Sequence, residues 1–362
     1  MSIIHRLKSW ASPLEAAAGK ATCGVGPRKK VASLTAFFLA ASAAVFIFLV
    51  IPGHAAATTK TPGYAKTHYV LPADALKSGI TFCGEKIPLT RRDVSSRVTD
   101  QLNFLLMDRR ALLMEWFDRM SIFGPAMIEA LSEEKVPRDL LYVAVLLSGL
   151  SPNARLKSGG VGWWSLGPWN GKKNASPPLW VTTEDWDERR DFVLSTRIAS
   201  KLLKGFVKEP HAMSWLLAIS AFLDGPDKIE ALMKKFPGFS YWDLVTPPLS
   251  DAFIPQVVAL KIIDTHREFY SLQIPALKPA SYDVLEPLML LKDLPLYVAA
   301  RWCGISPRSL WELNPAVDIG NGLLPKMNAK KTGALLLRVP KGKGAAVRTL
   351  LIKEGYIAPE PS

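Results

Sequence analysis

The residues best suited to ligand contact concentrate in one glycine-rich loop, residues 158–171. Trp163, Trp164 and Trp169 stand there within seven residues of one another. Aromatic faces either stack on a ligand or pack in a core, and the sequence leaves both roles open. The chain has only three cysteines and no C-x-x-C pair. We therefore expect no metal and no cofactor.

Charge and hydropathy divide the chain into a short inner part and a long exported part. The net charge of +13 would on its own suggest a nucleic-acid partner. The uncharged apolar run 31–51, however, is long enough to cross a bilayer as a helix, and residues 1–30 before it are basic. This pattern predicts a cytoplasmic flank at 1–30, followed at 31–53 by a transmembrane anchor or a cleaved signal segment. Everything after it is exported, so nucleic acid is not expected as a partner.

The first exported residues, 54–94, are rich in Ala, Thr, Lys and Pro and predict a linker. About +8 of the net charge lies in the exported part. It is either a solvated face or a surface for anionic polymer or phospholipid head groups. In an oxidising compartment, Cys83 and Cys303 either form a disulfide or remain two buried thiols, and both alternatives stay open.

Helical spacing dominates from residue 95 to residue 270. Apolar residues recur three and four apart over 105–120, and a second helix is predicted around 127–135. The runs 138–147 and 213–223 are apolar on nearly all sides, as expected for helices in the middle of a bundle. Further helices are predicted over 191–207, 230–236 and 253–266. No alternating strand pattern interrupts them, so an α-helical domain is predicted.

A proline-containing connector, residues 271–283, leads to a smaller C-terminal module at 284–352. Its pattern predicts a strand, two short helices and a second strand, at 284–291, 295–303, 307–313 and 334–339. This order suits a small α+β unit.

Several motifs of the helical domain resemble the membrane-bound lytic murein transglycosylases of the D type. Leu147-Ser-Gly-Leu-Ser-Pro-Asn-Ala154 resembles their Glu-Ser-Gly-Phe-x-Pro-x-Ala, and residues 159–166 resemble their Gly-x-x-Gly-Leu-Trp-Gln-Phe. Residues 220–226 stand where the family has Ala-Ala-Tyr-Asn-Ala-Gly-Pro, and residues 253–255 where it has Tyr-Val-Pro. The resemblance implies a mainly α fold, in which a goose-type lysozyme-like helical domain precedes a small α+β module and follows an N-terminal transmembrane helix.

The C-terminal module resembles the degenerate lysin-motif-like module of the same proteins. It carries Leu310-Trp-Glu-Leu-Asn-Pro315 and a terminal strand ending at Pro340, but it lacks the usual Gly-Asp-Thr opening. Lysin motifs bind the glycan chain of peptidoglycan. This copy is therefore either a glycan-binding unit or a structural cap.

The resemblance implies a glycan-cleaving site at the end of the predicted helix 138–147. The family places a glutamate there, which protonates the bond between N-acetylmuramic acid and N-acetylglucosamine. The same group then helps the muramyl 6-hydroxyl attack, which leaves a 1,6-anhydro end. An apolar helix end suits such an acid because desolvation raises the pKa of a carboxyl group. Here the position is Leu147, which can neither donate nor accept a proton.

Three more polar family positions are shorter or apolar in this chain: Gln is Ser165, Tyr is Phe222 and Asn is Leu223. Substrate contacts are implied at Ser148, Trp163, Trp164, Ser165, Trp169, Phe222 and Leu223. The carboxylate best placed to replace the acid is Asp224, which otherwise is a polar residue at a helix end. The remaining acids near family motifs are expected to be solvated or scaffold residues, namely Glu133, Glu134, Glu188 and Asp191.

Three hypotheses about function follow. In the first, the chain is a catalytically inactive relative that is anchored by its N-terminal helix and binds peptidoglycan glycan strands or a cell-wall enzyme. In the second, it is an active lytic transglycosylase with a relocated acid such as Asp224. In the third, it is a basic exported module that binds anionic lipid or polymer. The expected location is the inner membrane, with the C-terminal domains in the periplasm, or the periplasm alone if the N-terminal segment is cleaved.

Overall fold

The computed structural model describes residues 68–157, 159–167, 179–208, 213–273, 276, 278–318, 320–326 and 335–359. The cytoplasmic flank predicted at 1–30 and the anchor predicted at 31–53 lie outside these residues. Within them, no helix combines the length and the apolar character that a membrane crossing requires. Residues from His68 onward group into one compact unit, with two hydrophobic cores.

The described part of the predicted linker, residues 68–94, is folded rather than extended. Phe82 and Ile87 are buried in the larger core, and the backbone N–H of Tyr69 donates to Asn103 Oδ1 at 2.8 Å. These contacts correct the linker prediction over this stretch, because elements of three to five residues are too short to show a periodicity. The elements are α1 (Ala73–Lys77), an antiparallel hairpin of β1 (Ile80–Phe82) and β2 (Glu85–Ile87), and then α2 (Arg92–Asn103).

A single long helix, α3 (Arg110–Glu133), replaces the two helices predicted over 105–120 and 127–135. A π-helical turn, Phe104–Asp108, precedes it. Pro125 lies inside α3 and removes one helical hydrogen bond, which normally favours a break. The buried stripe continues on both sides of it, from Leu113 and Phe117 to Met127 and Leu131, so tertiary packing holds the helix together.

Five further helices complete the helical domain. After a 3₁₀ turn (Arg138–Leu140), they are α4 (Leu141–Ser148), α5 (Phe192–Val207), α6 (Trp215–Asp224), α7 (Pro226–Lys235) and α8 (Pro248–Thr265). α6 packs between α5 and α8, and α8 also contacts α2 and α4. The two runs that are apolar on nearly all sides form α4 and α6. Seven of the ten residues of α6 are buried, but only four of the eight residues of α4. The mainly helical fold class is confirmed.

The second core consists of C-terminal residues together with Trp186, which pairs with Val317 through a β-bridge. β3 (Tyr282–Leu288) pairs antiparallel with β6 (Leu335–Pro340), with Leu285 opposite Leu337. Between them lie β4 (Leu294–Pro295), α9 (Leu296–Cys303), α10 (Pro307–Leu313) and β5 (Leu323–Leu324). The sequence prediction missed the last helix, α11 (Gly344–Lys353). Cys83 and Cys303 lie in different cores as buried free thiols, which decides against a disulfide between them.

A buried ion pair joins the two cores. Asp191 caps α5 by accepting the backbone N–H groups of Val193 and Leu194, both at 2.9 Å. Its carboxylate also binds the guanidinium of Arg338 on β6, with one nitrogen–oxygen distance of 3.0 Å and a second, shorter contact. The guanidinium lies 4.2 Å from the ring centre of Phe192. Although burial disfavours its charge, the Asp191 carboxylate holds the pKa of Arg338 above its usual value.

Candidate functional site

The end of α4 is the place where the resemblance puts a catalytic acid. Val143, Ala144 and Val145 are buried, and Leu147, two residues further on, is partly exposed. Gly149 ends the helix in the left-handed region, with φ of 60°. The partly exposed residue at the end of this apolar helix is therefore a leucine.

Two serines fix the following loop to this helix end. Ser148 Oγ lies 2.7 Å from the carbonyl oxygen of Trp163 and 3.0 Å from that of Ala144. Ser165 Oγ donates to the carbonyl oxygen of Leu147 at 3.0 Å. The structure thus brings Leu147, Ser148, Trp163 and Ser165 together. Both hydroxyls, however, are engaged by the backbone, and Ser165 is buried, so they act as structural ties in this arrangement.

The two described tryptophans of the loop pack in the core. Trp163 is 1% exposed and Trp164 is 0% exposed. Their indole N–H groups donate to the carbonyl oxygen of Arg190 at 2.5 Å and to Thr196 Oγ1 at 2.9 Å. With no face open, neither can stack on a sugar, which corrects their assignment as substrate contacts. Trp169 lies outside the described residues.

A close backbone contact explains the inward turn of these rings. Gly162 has φ of 76°, and a Cβ built on it would lie 1.9 Å from the carbonyl oxygen of Arg189. Only glycine fits there. The loop therefore lies directly against the segment before α5 and points both indoles into the space between α4, α3 and α5. Trp163 meets the Phe123 ring edge to face, with the ring centres 4.9 Å apart.

The end of α6 carries the other substituted positions. Phe222 is buried and Leu223 is partly exposed. Asp224 Oδ2 accepts the backbone N–H of Ser250 at 3.1 Å, in the first turn of α8. A carboxylate at this point satisfies an unpaired helix donor and complements the helix dipole. The structure thus gives Asp224 the helix-terminal role, and it removes Phe222 from direct substrate contact.

The remaining predicted acids also have partners. Glu133 pairs with Arg197 at 2.9 Å, and Glu134 lies 3.6 Å from Lys204 Nζ. Glu188 accepts the backbone N–H of Val181 at 2.7 Å, and burial raises the pKa of its carboxyl group. Together with the Asp191 pair described above, these contacts favour scaffold roles.

The sequence analysis missed one polar pair at the end of α4. Arg119 on α3 donates from Nη1 to the carbonyl oxygen of Gly149 at 2.7 Å, and it also binds Glu115 one turn earlier. The indole of Trp116, between them, approaches so closely that a Cβ at Gly149 would lie 2.7 Å from its Nε1. Only the tertiary packing of α3 on α4 brings this pair to the site, so no local sequence signal could have found it.

Two cavities lie away from this site. One, of about 240 Å³, lies between α3, α5 and the β3–β6 pair, next to Glu129, Tyr282 and Arg338. The other, of about 350 Å³, contains the hydrogen bond from Tyr142 to Asp264 at 2.6 Å. Neither is lined by the end of α4 or the end of α6. The described residues hold no cluster of His, Cys, Asp or Glu that could bind a metal ion.

Known protein-family profiles do not match the chain. Curated proteins do match it: the chain is 24% identical over 234 residues to "Membrane-bound lytic murein transglycosylase D" of Escherichia coli (strain K12), covering 61% of this chain and 50% of that protein. The protein of the same name from Escherichia coli O6:H1 (strain CFT073) gives the same identity and coverage. The chain thus spans about half the length of the curated relatives it matches. This distant similarity supports the resemblance to the membrane-bound lytic murein transglycosylases.

Proposed function

We propose that this protein binds peptidoglycan glycan strands on a lytic-transglycosylase-like scaffold without cleaving them. The observation that carries the proposal is Leu147, a partly exposed leucine at the end of a helix with a buried middle, where the resemblance calls for a glutamate. The similarity to proteins named for murein supports the class of ligand.

The other residues at the site do not replace the missing acid. Loss of general acid–base help costs about 10²–10⁴-fold in a typical proton-transfer step. Asp224 is committed to the first turn of α8, and Glu115 is half-exposed and bound to Arg119. Both carboxylates are therefore held by contacts away from a free, substrate-facing position. An active enzyme with a relocated acid is therefore the less supported alternative.

The proposal assigns glycan contact to the exposed groups around the end of α4. Leu147 offers an apolar surface, and the guanidinium of Arg119, one third exposed, can meet the carboxylates of the muramyl peptide. Trp169 keeps its predicted role as a stacking residue. The anchor at 31–53, the periplasmic location, glycan contact by the C-terminal module and a cell-wall enzyme as partner belong to the same proposal, and they rest on the sequence alone.

Sedimentation with insoluble peptidoglycan sacculi tests the proposal. We expect the full chain to pellet with sacculi at moderate salt, and Arg119→Ala to weaken this binding severalfold. Arg92→Ala, which removes an exposed arginine on α2, is the matched control and should bind like the unmodified chain. A chain that stays in the supernatant at low and moderate salt would rule out glycan binding. Equal losses in both variants would mean that the interaction depends on net charge alone.

A further inference from the structure

Seven consecutive residues at the end of α7 and after it, Lys234–Ser240, are all exposed. We call them the 234–240 tip. Phe236 is 40% exposed and Phe239 is 56% exposed, and Lys235 Nζ lies 5.3 Å from the ring centre of Phe236. Between the two rings, Gly238 turns the chain with φ of 81°. The tip therefore presents two phenyl rings and two ammonium groups to the surroundings.

The base of the tip is held firmly. Tyr241 and Trp242, directly after it, are buried in the larger core. The backbone N–H of Ser240 donates to Asp243 Oδ2 at 3.1 Å, which closes a capping box. Because the core anchors the following residues, the exposure of the rings is a property of the folded chain. Large apolar side chains grouped on a surface usually mark an interaction site.

Two more exposed apolar side chains follow the tip in the sequence. Val245 is 90% exposed, and Leu249 in the first turn of α8 is also exposed. Two of the acids that follow the tip are paired with arginines, Asp243 with Arg91 at 2.5 Å and Asp251 with Arg97 at 2.6 Å. Within the described residues, no ion pair involves Lys234 or Lys235. This stretch thus combines exposed apolar side chains with two exposed lysines.

We propose that the 234–240 tip, with Val245 and Leu249, docks on the surface of an anionic phospholipid bilayer. Phenyl rings can enter the boundary between head groups and acyl chains, while lysines beside them meet lipid phosphates. A sugar or small ligand would instead need a concave site. The tip is exposed along its whole length and lines neither of the two cavities described above. This docking is independent of the predicted anchor and goes beyond glycan binding.

Vesicle flotation of the compact unit, residues 68–362, tests the docking without the predicted anchor. We expect it to float with vesicles of phosphatidylglycerol and phosphatidylethanolamine, and not with phosphatidylcholine alone. Phe236→Ser with Phe239→Ser should weaken binding at least tenfold. Lys234→Glu with Lys235→Glu should also weaken it at least tenfold at low salt, since each lysine contributes about fivefold. Phe269→Ser, at a ring 54% exposed, and Lys353→Glu are the matched controls and should float normally.

A label on the full chain provides a second measurement. Phe239→Cys in a Cys23→Ser background, carrying an environment-sensitive dye, should be quenched by brominated lipids, whereas Phe269→Cys should not. The native cysteines Cys83 and Cys303 are buried and do not compete for the dye. The proposal is overturned by absent flotation, by equal quenching at both positions, or by tip variants that lose sacculus binding but keep vesicle binding. The last result would assign the tip to the glycan surface.

Discussion

The buried pair of Asp191 and Arg338 gives the most quantitative prediction about how this chain holds its two cores together. Breaking a buried ion pair by removing one partner typically costs about 3–5 kcal/mol, because the other charge stays buried and unpaired. The structure predicts that removing Asp191 and removing Arg338 cost different amounts of folding free energy. Without Arg338, the Asp191 carboxylate still accepts two backbone N–H groups at the start of α5. Without Asp191, the guanidinium of Arg338 loses its only carboxylate partner among the described residues and keeps weaker contacts, a 3.4 Å contact to the carbonyl oxygen of Leu313 and the faces of Phe192 and Tyr282.

We therefore expect Asp191→Ser to cost about 5 kcal/mol and Arg338→Met about 3 kcal/mol of the free energy of unfolding. Serine retains an oxygen that can cap α5. The cost of Asp191→Ser therefore comes mainly from the Arg338 guanidinium, which stays buried without its carboxylate partner. The double variant leaves no buried charge, and its cost should fall at least about 2 kcal/mol below the sum of the single costs.

Urea unfolding of residues 68–362, followed by tryptophan fluorescence and far-ultraviolet circular dichroism, measures these costs. The fluorescence reports on Trp163, which bonds to the residue before Asp191. The reasoning is refuted if Asp191→Ser costs less than about 1 kcal/mol, or if the two single costs simply add in the double variant.

Three further predictions concern other parts of the structure. Gly162→Ala should lower the free energy of unfolding by about 3 kcal/mol, because the added Cβ would clash with the carbonyl oxygen of Arg189. Gly205→Ala, which adds a Cβ in open space on α5, should raise it by about 0.5–1 kcal/mol in the same urea unfolding assay. Burial raises the pKa of the Glu85 carboxyl group, so its ionisation opposes folding. The free energy of unfolding should therefore fall as pH rises from about 4.5 through the folded-state pKa. Urea titrations between pH 4 and pH 8 measure this slope, and Glu85→Gln should flatten it. Burial also raises the pKa of the Cys83 and Cys303 thiols. A thiol reagent should therefore leave both unmodified in the folded chain and react with them in denaturant. Fast reaction before unfolding would contradict their burial.

The larger helices were predictable because the spacing of their apolar residues indicates which face of each helix packs in the core. The runs that became α4 and α6 lack a polar face, and α6 is mostly buried while α4 is buried over half of its residues. The break predicted between residues 120 and 127 is absent, although Pro125 lies there. A proline signals a break locally, but the packing of Leu113 and Phe117 before it and Met127 after it keeps α3 continuous.

Parts of the site depend on contacts between distant segments and could not be predicted. The spacing of Trp163 and Trp164 is the same for a ligand platform and for core packing. Their burial follows from the contact of Gly162 with Arg189, which lies 27 residues further along the chain. Arg119 reaches the end of α4 only because α3 packs there. The residue at the helix end itself, Leu147, needed no structure to identify, since the resemblance placed it directly.

We propose that Leu147 at the end of α4 leaves this scaffold without glycan-cleaving chemistry. The most direct measurement is the release of 1,6-anhydro muropeptides from purified sacculi by the full chain, detected by mass spectrometry beside an active lytic transglycosylase. Our account predicts no release above the rate without protein, although the chain sediments with the same sacculi. Release that disappears in Asp224→Asn or Glu115→Gln would contradict it and would identify the carboxylate that performs the chemistry.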